Sequence, residues 1–316
     1  MFFASAQLLH IPDGFLSLGV AAAAWGVALF ALFLAVRRSQ ERFDERLIPM
    51  AGIMAAFIFA GQMINFPVAG GTSGHLIGAA LAAVVLGPWL GILVMTAVIA
   101  LQGLLFQDGG LVVMGANILV MGVVPALIAF GFYRAVANRG RSLRLATTAV
   151  AAWLSVMAAA LVTAIFLGFS GTSSFRIVVP AMLGVHALIG LGEALITVSA
   201  LSFIMRARPQ LLEGSAEAGG RGWIVAGLGL SFLVVLLAPF ASGLPDGLEW
   251  VAEENAFLGA AREAPFEVLP DYTVPLLGDS ALSTIAAGLV GALLVAAVAL
   301  ATARLLRRER RWEPRD

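Results

Sequence analysis

Apolar and polar positions alternate along this chain on the scale of whole helices. Nine apolar stretches stand between short polar breaks: Phe15–Val36, Ile48–Ile64, Leu76–Leu86, Trp89–Leu105, Leu111–Tyr133, Leu145–Gly168, Ile177–Met205, Trp223–Ala241 and Ala281–Leu305. A helix needs roughly 20 apolar residues to cross the hydrocarbon core of a bilayer. The pattern therefore predicts an all-α polytopic membrane protein with about nine transmembrane helices. The third stretch is short and ends at Gly87-Pro88, which marks a half-length or tilted helix.

Arginine placement orients the bundle. With the N-terminus outside and the C-terminus inside, every arginine except Arg176 and Arg262 falls in an inner loop or the inner tail, as the positive-inside bias requires. The inner stretch after Arg208 is rich in Gly, Ala and Glu and reads as a linker. The chain divides accordingly into an extension 1–9, a seven-helix core 10–208, a cytoplasmic linker 209–222 and a two-helix unit 223–316. The outer loop of that unit, Ser242–Ser280, carries Asp246, Glu249, Glu253, Glu254, Glu263, Glu267, Asp271 and Asp279 against one Arg. Such a loop either concentrates cations or simply stays solvated outside the bilayer.

Composition narrows the function. The 316 residues are 60% hydrophobic and 12% charged, half the charge of a soluble domain, which places the protein in a cell membrane within a lipid bilayer. Cysteine is absent, which excludes disulfides, thiolate metal sites and thiol catalysis. Basic and acidic residues balance at 19 each, so no nucleic-acid partner is expected. No lysine and no phosphate-binding Gly-x-x-x-x-Gly-Lys loop occurs, so any ATP must be handled by other chains. Met1–Leu9 lacks the positive start and long apolar run of a signal peptide. It reads as an extension that need not belong to the native chain.

Without cysteine, His10, His75 and His186 are the good ligands for a late transition metal. The topology puts His10, just before the first helix, and His75, closing the loop Asn65–Gly74, on the same face. Gly70-Gly71-Thr72-Ser73-Gly74 gives His75 a bendable loop, although Thr72 or Ser73 can also simply cap the next helix. Asp13, in His10-Ile11-Pro12-Asp13-Gly14, reads as a cap for the first helix. A chain beginning at Leu9 would offer a free amine, the His10 amide nitrogen and a His10 ring nitrogen in fused chelate rings. His75 would complete four nitrogens in a plane, a geometry that suits Ni(II) or Cu(II). His186 and Glu193 share a face of the seventh span. They mark either a functional site or a polar contact within the bundle. Gln62, Gln102, Asp108 and Asn117 are further polar groups in or near the spans, Asp108 within a plain Gly-Gly turn. Ala24, Ala28, Ala31 and Ala35 form a small-residue stripe for a close neighbour, internal or a partner subunit.

Four motifs in order carry a resemblance: His10-Ile11-Pro12-Asp13-Gly14-Phe15-Leu16; Gly70-Gly71-Thr72-Ser73-Gly74-His75-Leu76; Gln107-Asp108-Gly109-Gly110 with Gly115-Ala116-Asn117; and His186-Ala187-Leu188-Ile189-Gly190 with Gly192-Glu193-Ala194. They resemble the CbiM/NikM type, the substrate-capturing membrane subunits (S components) of energy-coupling-factor cobalt and nickel importers. Pro245-Asp246-Gly247-Leu248-Glu249 resembles the two-helix PDGLE appendage, a fused form of the small CbiN/NikN subunit.

The resemblance implies capture of Ni(II) or Co(II) as transported substrate at the extracellular face, with no organic cofactor. Its ligands map to the residue 9 amine, His10 and His75, with Asn65 behind an imidazole. The family usually begins Met-His, so an alternative start codon at Leu9 would restore the amine. Pro12-Asp13 is closer to nickel-type members. The implied partners are an energy-coupling transmembrane subunit and cytoplasmic ATPase subunits. Two other readings of the residues are an intramembrane enzyme using His186 and Glu193, and a non-specific channel or scaffold.

Overall fold

Every apolar stretch contains a helix in the structure, but the helices differ in what surrounds them. The computed structural model describes residues 10–41, 44, 47–207, 209, 222–262, 264–266 and 268–310, with side chains to residue 306. Leu9 and most of the expected 209–222 linker lie outside the described residues. The helices are α1 (Leu18–Glu41), α2 (Leu47–Gln62), α3 (Ala79–Leu86), α4 (Pro88–Leu101), α5 (Met114–Ala135), α6 (Arg141–Phe169), α7 (Phe175–Ala207), α8 (Gly222–Val235), the short α9 (Gly247–Glu254) and α10 (Ala281–Arg310). A widened turn, Gln102–Phe106, prolongs α4. Among the described residues seven helices are long and apolar enough to cross a membrane; α2, with 16 residues, and α3, with eight, are shorter.

Burial accounts for both short helices. α2 is enclosed by α4, α8 and α10 and is buried along most of its length. It touches protein rather than lipid, so it need not match the full hydrocarbon thickness. α3 finishes a crossing that an extended segment begins. Its far end, Leu86-Gly87-Pro88, shares a cavity with Arg38, Asp44 and Arg134, at the opposite end of the bundle from His10. The bundle thus has an arginine end and a histidine end.

The segment leading into α3 is a hairpin. β1 (Phe66–Val68) pairs antiparallel with β2 (Thr72–Gly74), Pro67 opposite Ser73. Gly70 and Gly71 at its tip have φ of 93° and 82°, a left-handed backbone that glycine adopts without a steric cost. A buried carboxylate anchors the exit of this segment. Glu193 on α7 accepts the amides of Ile77 (2.7 Å) and Gly78 (3.0 Å). These are orphan donors at the start of α3, and the carboxylate takes both.

The C-terminal helices are not peripheral. α8 and α10 both pack along α2, where small residues permit close approach. A side chain at Gly291 would run into the Phe59 ring, and one at Gly288 would meet Val235 and Met63. The alanine stripe of α1 is likewise internal. Ala24, Ala28 and Ala35 are buried and Ala31 half-buried, on a helix packed against α4 and α5. This corrects its candidacy as a docking surface: the close-packed neighbour is the chain's own. The outward faces carry Phe30, Phe33, Leu195, Val225 and Leu233 instead.

Two outcomes follow from this packing. Gly291→Leu is expected to cost about 1–3 kcal/mol by overpacking, seen as a lower thermal midpoint in detergent. Gly229→Leu, where an added Cβ would meet nothing within 4 Å, is expected to leave the midpoint in place; equal effects at both sites would contradict a tight α2–α10 seam. Glu193→Gln puts an amide donor against a backbone donor and is expected to cost about 1–3 kcal/mol. An unchanged midpoint would contradict the anchor.

Candidate metal centre

The His10 segment is held from both sides. The Asn117 side-chain amide takes the Ile11 N–H on Oδ1 and gives Nδ2–H to the Ile11 carbonyl, both at 3.0 Å. The Asp13 carboxylate accepts the amides of Leu111, Val112 and Val113 at 3.0–3.2 Å. Asp13 therefore does not cap α1, which begins later at Leu18; it receives the loose amides ahead of α5. The turn at Asp108-Gly109-Gly110 is more than a plain turn. Gly109 has φ 99°, and a Cβ there would lie 2.8 Å from the His10 Cβ.

His10 and Asp108 make a short polar contact, Nδ1 to Oδ1 at 2.6 Å, with both side chains buried. The other Asp108 oxygen accepts from the Tyr272 hydroxyl at 2.6 Å, and that hydroxyl accepts from Gln102 Nε2 at 3.0 Å. Burial, with the Asp108 charge beside it, pushes the Tyr272 phenol well above its usual range, so it stays a donor. Its ring stacks on Phe106 with centroids 4.7 Å apart. Asp271 and Tyr272 both have positive φ, 49° and 56°, a strained backbone for non-glycine residues that delivers the hydroxyl to Asp108.

His75 lies across from His10, ring centroids 6.0 Å apart. Its Nδ1 contacts the Leu76 carbonyl at 3.0 Å, and its Nε2 faces Asp246 Oδ2 at 3.8 Å. The β2 strand seats this imidazole by gripping the chain before Asp246. Ser73 N–H and Thr72 Oγ1–H donate to the Pro245 carbonyl at 2.8 and 3.0 Å, and Ser73 Oγ–H donates to the Leu244 carbonyl at 2.8 Å. Asp246 Oδ1 accepts the Glu249 amide at 2.8 Å as the cap of α9. Burial above all pushes the Asp246 carboxyl up to about 8; the charges of Glu249 and Asp108 add to this, and the Glu249 amide opposes it.

The hydrogen bonds decide which ring nitrogens can bind a metal. A carbonyl only accepts, so His75 Nδ1 carries the proton and the lone pair of the neutral ring is on Nε2. The Asp108 carboxylate sets His10 the same way, and His10 Nε2 is buried with no hydrogen-bond partner among the described residues. His10, His75, Asn117, His186 and Asp246 line one cavity of about 60 Å³. Among the described residues, no three His, Asp or Glu side chains are already close enough to hold an ion. The arrangement is a pair of oriented imidazoles that needs further donors.

The expected residues fare differently. His10, His75, Asp108 and Asn117 come together. Thr72 and Ser73 support the loop through the 244–245 backbone rather than capping α3. Asn65 is buried at the hairpin entry, where its carbonyl accepts the Ser242 amide at 2.8 Å. His186 gives its Nδ1–H to the Met182 carbonyl at 2.8 Å and lines the cavity, and Glu193 accepts two backbone amides. The fused chelate expected at His10 uses Nδ1, which here contacts Asp108, and its amine at residue 9 lies outside the described residues. Asp246 and Tyr272 were not anticipated as site residues. The Pro-Asp-Gly-Leu-Glu motif was visible, but nothing local ties it to His75, and Tyr272 is a single aromatic in an acidic loop.

Comparisons with known proteins identify the family. Residues 10–211 match the family described as the cobalt uptake substrate-specific transmembrane region, and residues 221–308 match the PDGLE domain. A putative fused nickel transport protein NikMN of Archaeoglobus fulgidus is 36% identical over 95% of this chain and 99% of its own. The fused nickel transport protein NikMN of Rhodobacter capsulatus is 30% identical over 92% and 96%. A cobalt transport protein CbiM of Geobacter sulfurreducens is 33% identical over 69% of this chain and 66% of its own. A crystal structure described as a transition metal transporter superimposes with a TM-score of 0.58 at 30% identity, over 67% of this chain and all of that one. This chain is a multi-pass membrane protein of the cobalt uptake substrate-specific transmembrane family, of the CbiM/NikM type, fused to a C-terminal PDGLE domain.

Proposed function

We propose that this protein captures Ni(II) or Co(II) at the outer face of the cell membrane and passes it inward, as the substrate-binding subunit of an energy-coupling-factor importer. The observation that carries this reading is the pair of imidazoles, His10 and His75, each fixed through Nδ1 so that Nε2 carries the lone pair. Imidazole nitrogens suit these metals, and a ligating His normally gives its other N–H to a carboxylate or carbonyl, as both do here. The relatives' names, nickel transport and cobalt transport, support the cargo. The separation of a histidine end from an arginine end supports capture outside, given the positive-inside bias.

The hydrated ion sheds water as it enters between the two rings. The Asp108–Tyr272 pair holds the His10 ring still, and the Glu193 anchor holds the loop that carries His75. In a chain starting at residue 9, the terminal amine is a further nitrogen donor. Inward release requires this loop to move, driven through a transmembrane coupling subunit by cytoplasmic ATPase subunits, because this chain has no nucleotide-binding loop of its own. The arginine end faces those partners.

His75→Ala is expected to weaken Ni(II) or Co(II) binding to the purified chain by more than about 100-fold, beyond the 10–100-fold cost of losing an outer-shell partner. Isothermal titration in detergent reads this, and unchanged affinity would overturn the assignment. Tyr272→Phe deletes only the hydroxyl that steadies Asp108. It is expected to weaken binding about tenfold and, because buried Asp108 and Gln102 each lose a partner, to cost about 1–3 kcal/mol of stability; full affinity would show that the hydroxyl does not steady His10.

A further inference from the structure

At the end of the bundle opposite the histidines, the α3–α4 turn borders a cavity of about 350 Å³, many times the roughly 30 Å³ share of one water molecule. The turn contributes Gly87 and the start of α4, α1 contributes Arg38 and Ser39, and α5 contributes Phe130 and Arg134. Three kinds of donor meet there. α4 starts without a side-chain cap. Its first residue, Pro88, has no N–H, so the orphan donors of its first turn begin with the amides of Trp89 and Leu90, and both residues line the cavity. A helix start of this kind favours an anion. The Ser39 side chain is nine-tenths buried, and its hydroxyl has no hydrogen-bond partner among the described residues. A buried hydroxyl left unpaired is costly, so it calls for an acceptor from outside the chain. The third donors are guanidiniums. Arg38 gives one hydrogen bond to Glu41 at 3.2 Å, which leaves most of its five N–H groups, and Arg134 is exposed. Asp44 also lines the cavity; two guanidiniums against that one carboxylate leave the lining net positive. Gly87 keeps the helix start open, since a Cβ there would meet nothing within 4 Å.

We infer that this cavity binds the phosphate of an anionic phospholipid, whose acyl chains lie along the outward faces of α1 and α5. The surroundings favour a lipid over a soluble anion. Phe33 and Val36 on α1 and Leu127 on α5 are exposed apolar side chains. Leu127 precedes Arg134 by seven positions, about two turns, so the two share a helix face. Trp89 is half-buried, and an indole ring suits the depth of the headgroups. Basic pockets between membrane helices are also suited to anionic headgroups. The phosphate oxygens accept from the Ser39 hydroxyl, the first amides of α4 and the two guanidiniums. One bound lipid thereby ties the ends of α1, α4 and α5 together. The inference concerns the end of the bundle away from the imidazoles and stands whatever ion they hold.

The test is native mass spectrometry of the full chain released from phosphatidylcholine nanodiscs doped with phosphatidylglycerol. The proteins are wild type, Ser39→Ala, the double variant Arg38→Gln with Arg134→Gln, and Arg37→Gln, a change at an exposed neighbour. Wild type is expected to retain phosphatidylglycerol selectively. Retention is expected to fall at least about tenfold in the double variant and about fivefold in Ser39→Ala, with Arg37→Gln close to wild type. In pure phosphatidylcholine discs all four are expected to share one thermal midpoint, and only wild type and Arg37→Gln to gain fully from phosphatidylglycerol. Equal retention of the two lipids by wild type would overturn the inference and leave the cavity to an acidic group of the coupling subunit. An equal loss in Arg37→Gln would overturn it too, because diffuse surface charge would then suffice. Displacement of phosphatidylglycerol by excess inorganic phosphate would reassign the cavity to a soluble anion and end the lipid assignment.

Discussion

An imidazole offers a metal one lone pair, and its other nitrogen decides where that lone pair points. In this protein His10 gives Nδ1–H to a carboxylate and His75 gives it to the next residue's carbonyl. Both Nε2 atoms are thereby set to one side of a small cavity. Much of the histidine end can be understood as what is required to keep those two donors in place. Asp108 is useful only while it is aimed, and Tyr272 with Gln102 behind it does the aiming. Leu76 can accept from His75 only while the chain between β2 and α3 stays extended.

That extended segment costs the bundle a full helix. A backbone that leaves regular structure at membrane depth must have its polar groups satisfied by protein. The chain meets this demand with buried side chains. Glu193 takes the Ile77 and Gly78 amides, Gln62 donates to the Ile77 carbonyl at 2.9 Å, and Ser73 and Thr72 bond the 244–245 backbone. Three separate regions, α2, α7 and the C-terminal loop, thus converge on the residues around His75. The same convergence explains why α2 can be short: α8 and α10 shield it from lipid. The C-terminal residues therefore pack into the bundle and line the same cavity as His10 and His75.

The helices, their order and the half-length third helix were legible from apolar run lengths, because the bilayer imposes a length on every crossing. The pairing of His10 with His75 was legible too, since alternating crossings put both at one end. Contacts between residues far apart in sequence were not. Asp246 meets His75 from 171 positions away and Tyr272 meets Asp108 from 164 away, and neither carries a local pattern that names its partner. Asp13 illustrates the same limit. A carboxylate ahead of a helix reads as that helix's cap, but the amides of Leu111 to Val113, brought beside it by the fold, bind it instead. The alanine stripe was legible as a packing seam, while its occupant required the arrangement of α4 and α5. Which nitrogen of His10 faces the cavity depends on Asp108, nearly a hundred residues downstream.

The central claim is that His10 and His75 together hold the cargo ion through their imidazoles. X-ray absorption fine structure of the Ni(II)-loaded full chain tests it most directly, because imidazole rings leave a distinct outer-shell multiple-scattering pattern. The account predicts two imidazole rings on the metal in a shell of light nitrogen and oxygen donors. A spectrum with no imidazole scattering, or with the oxygen-only shell of a hydrated ion, would contradict it.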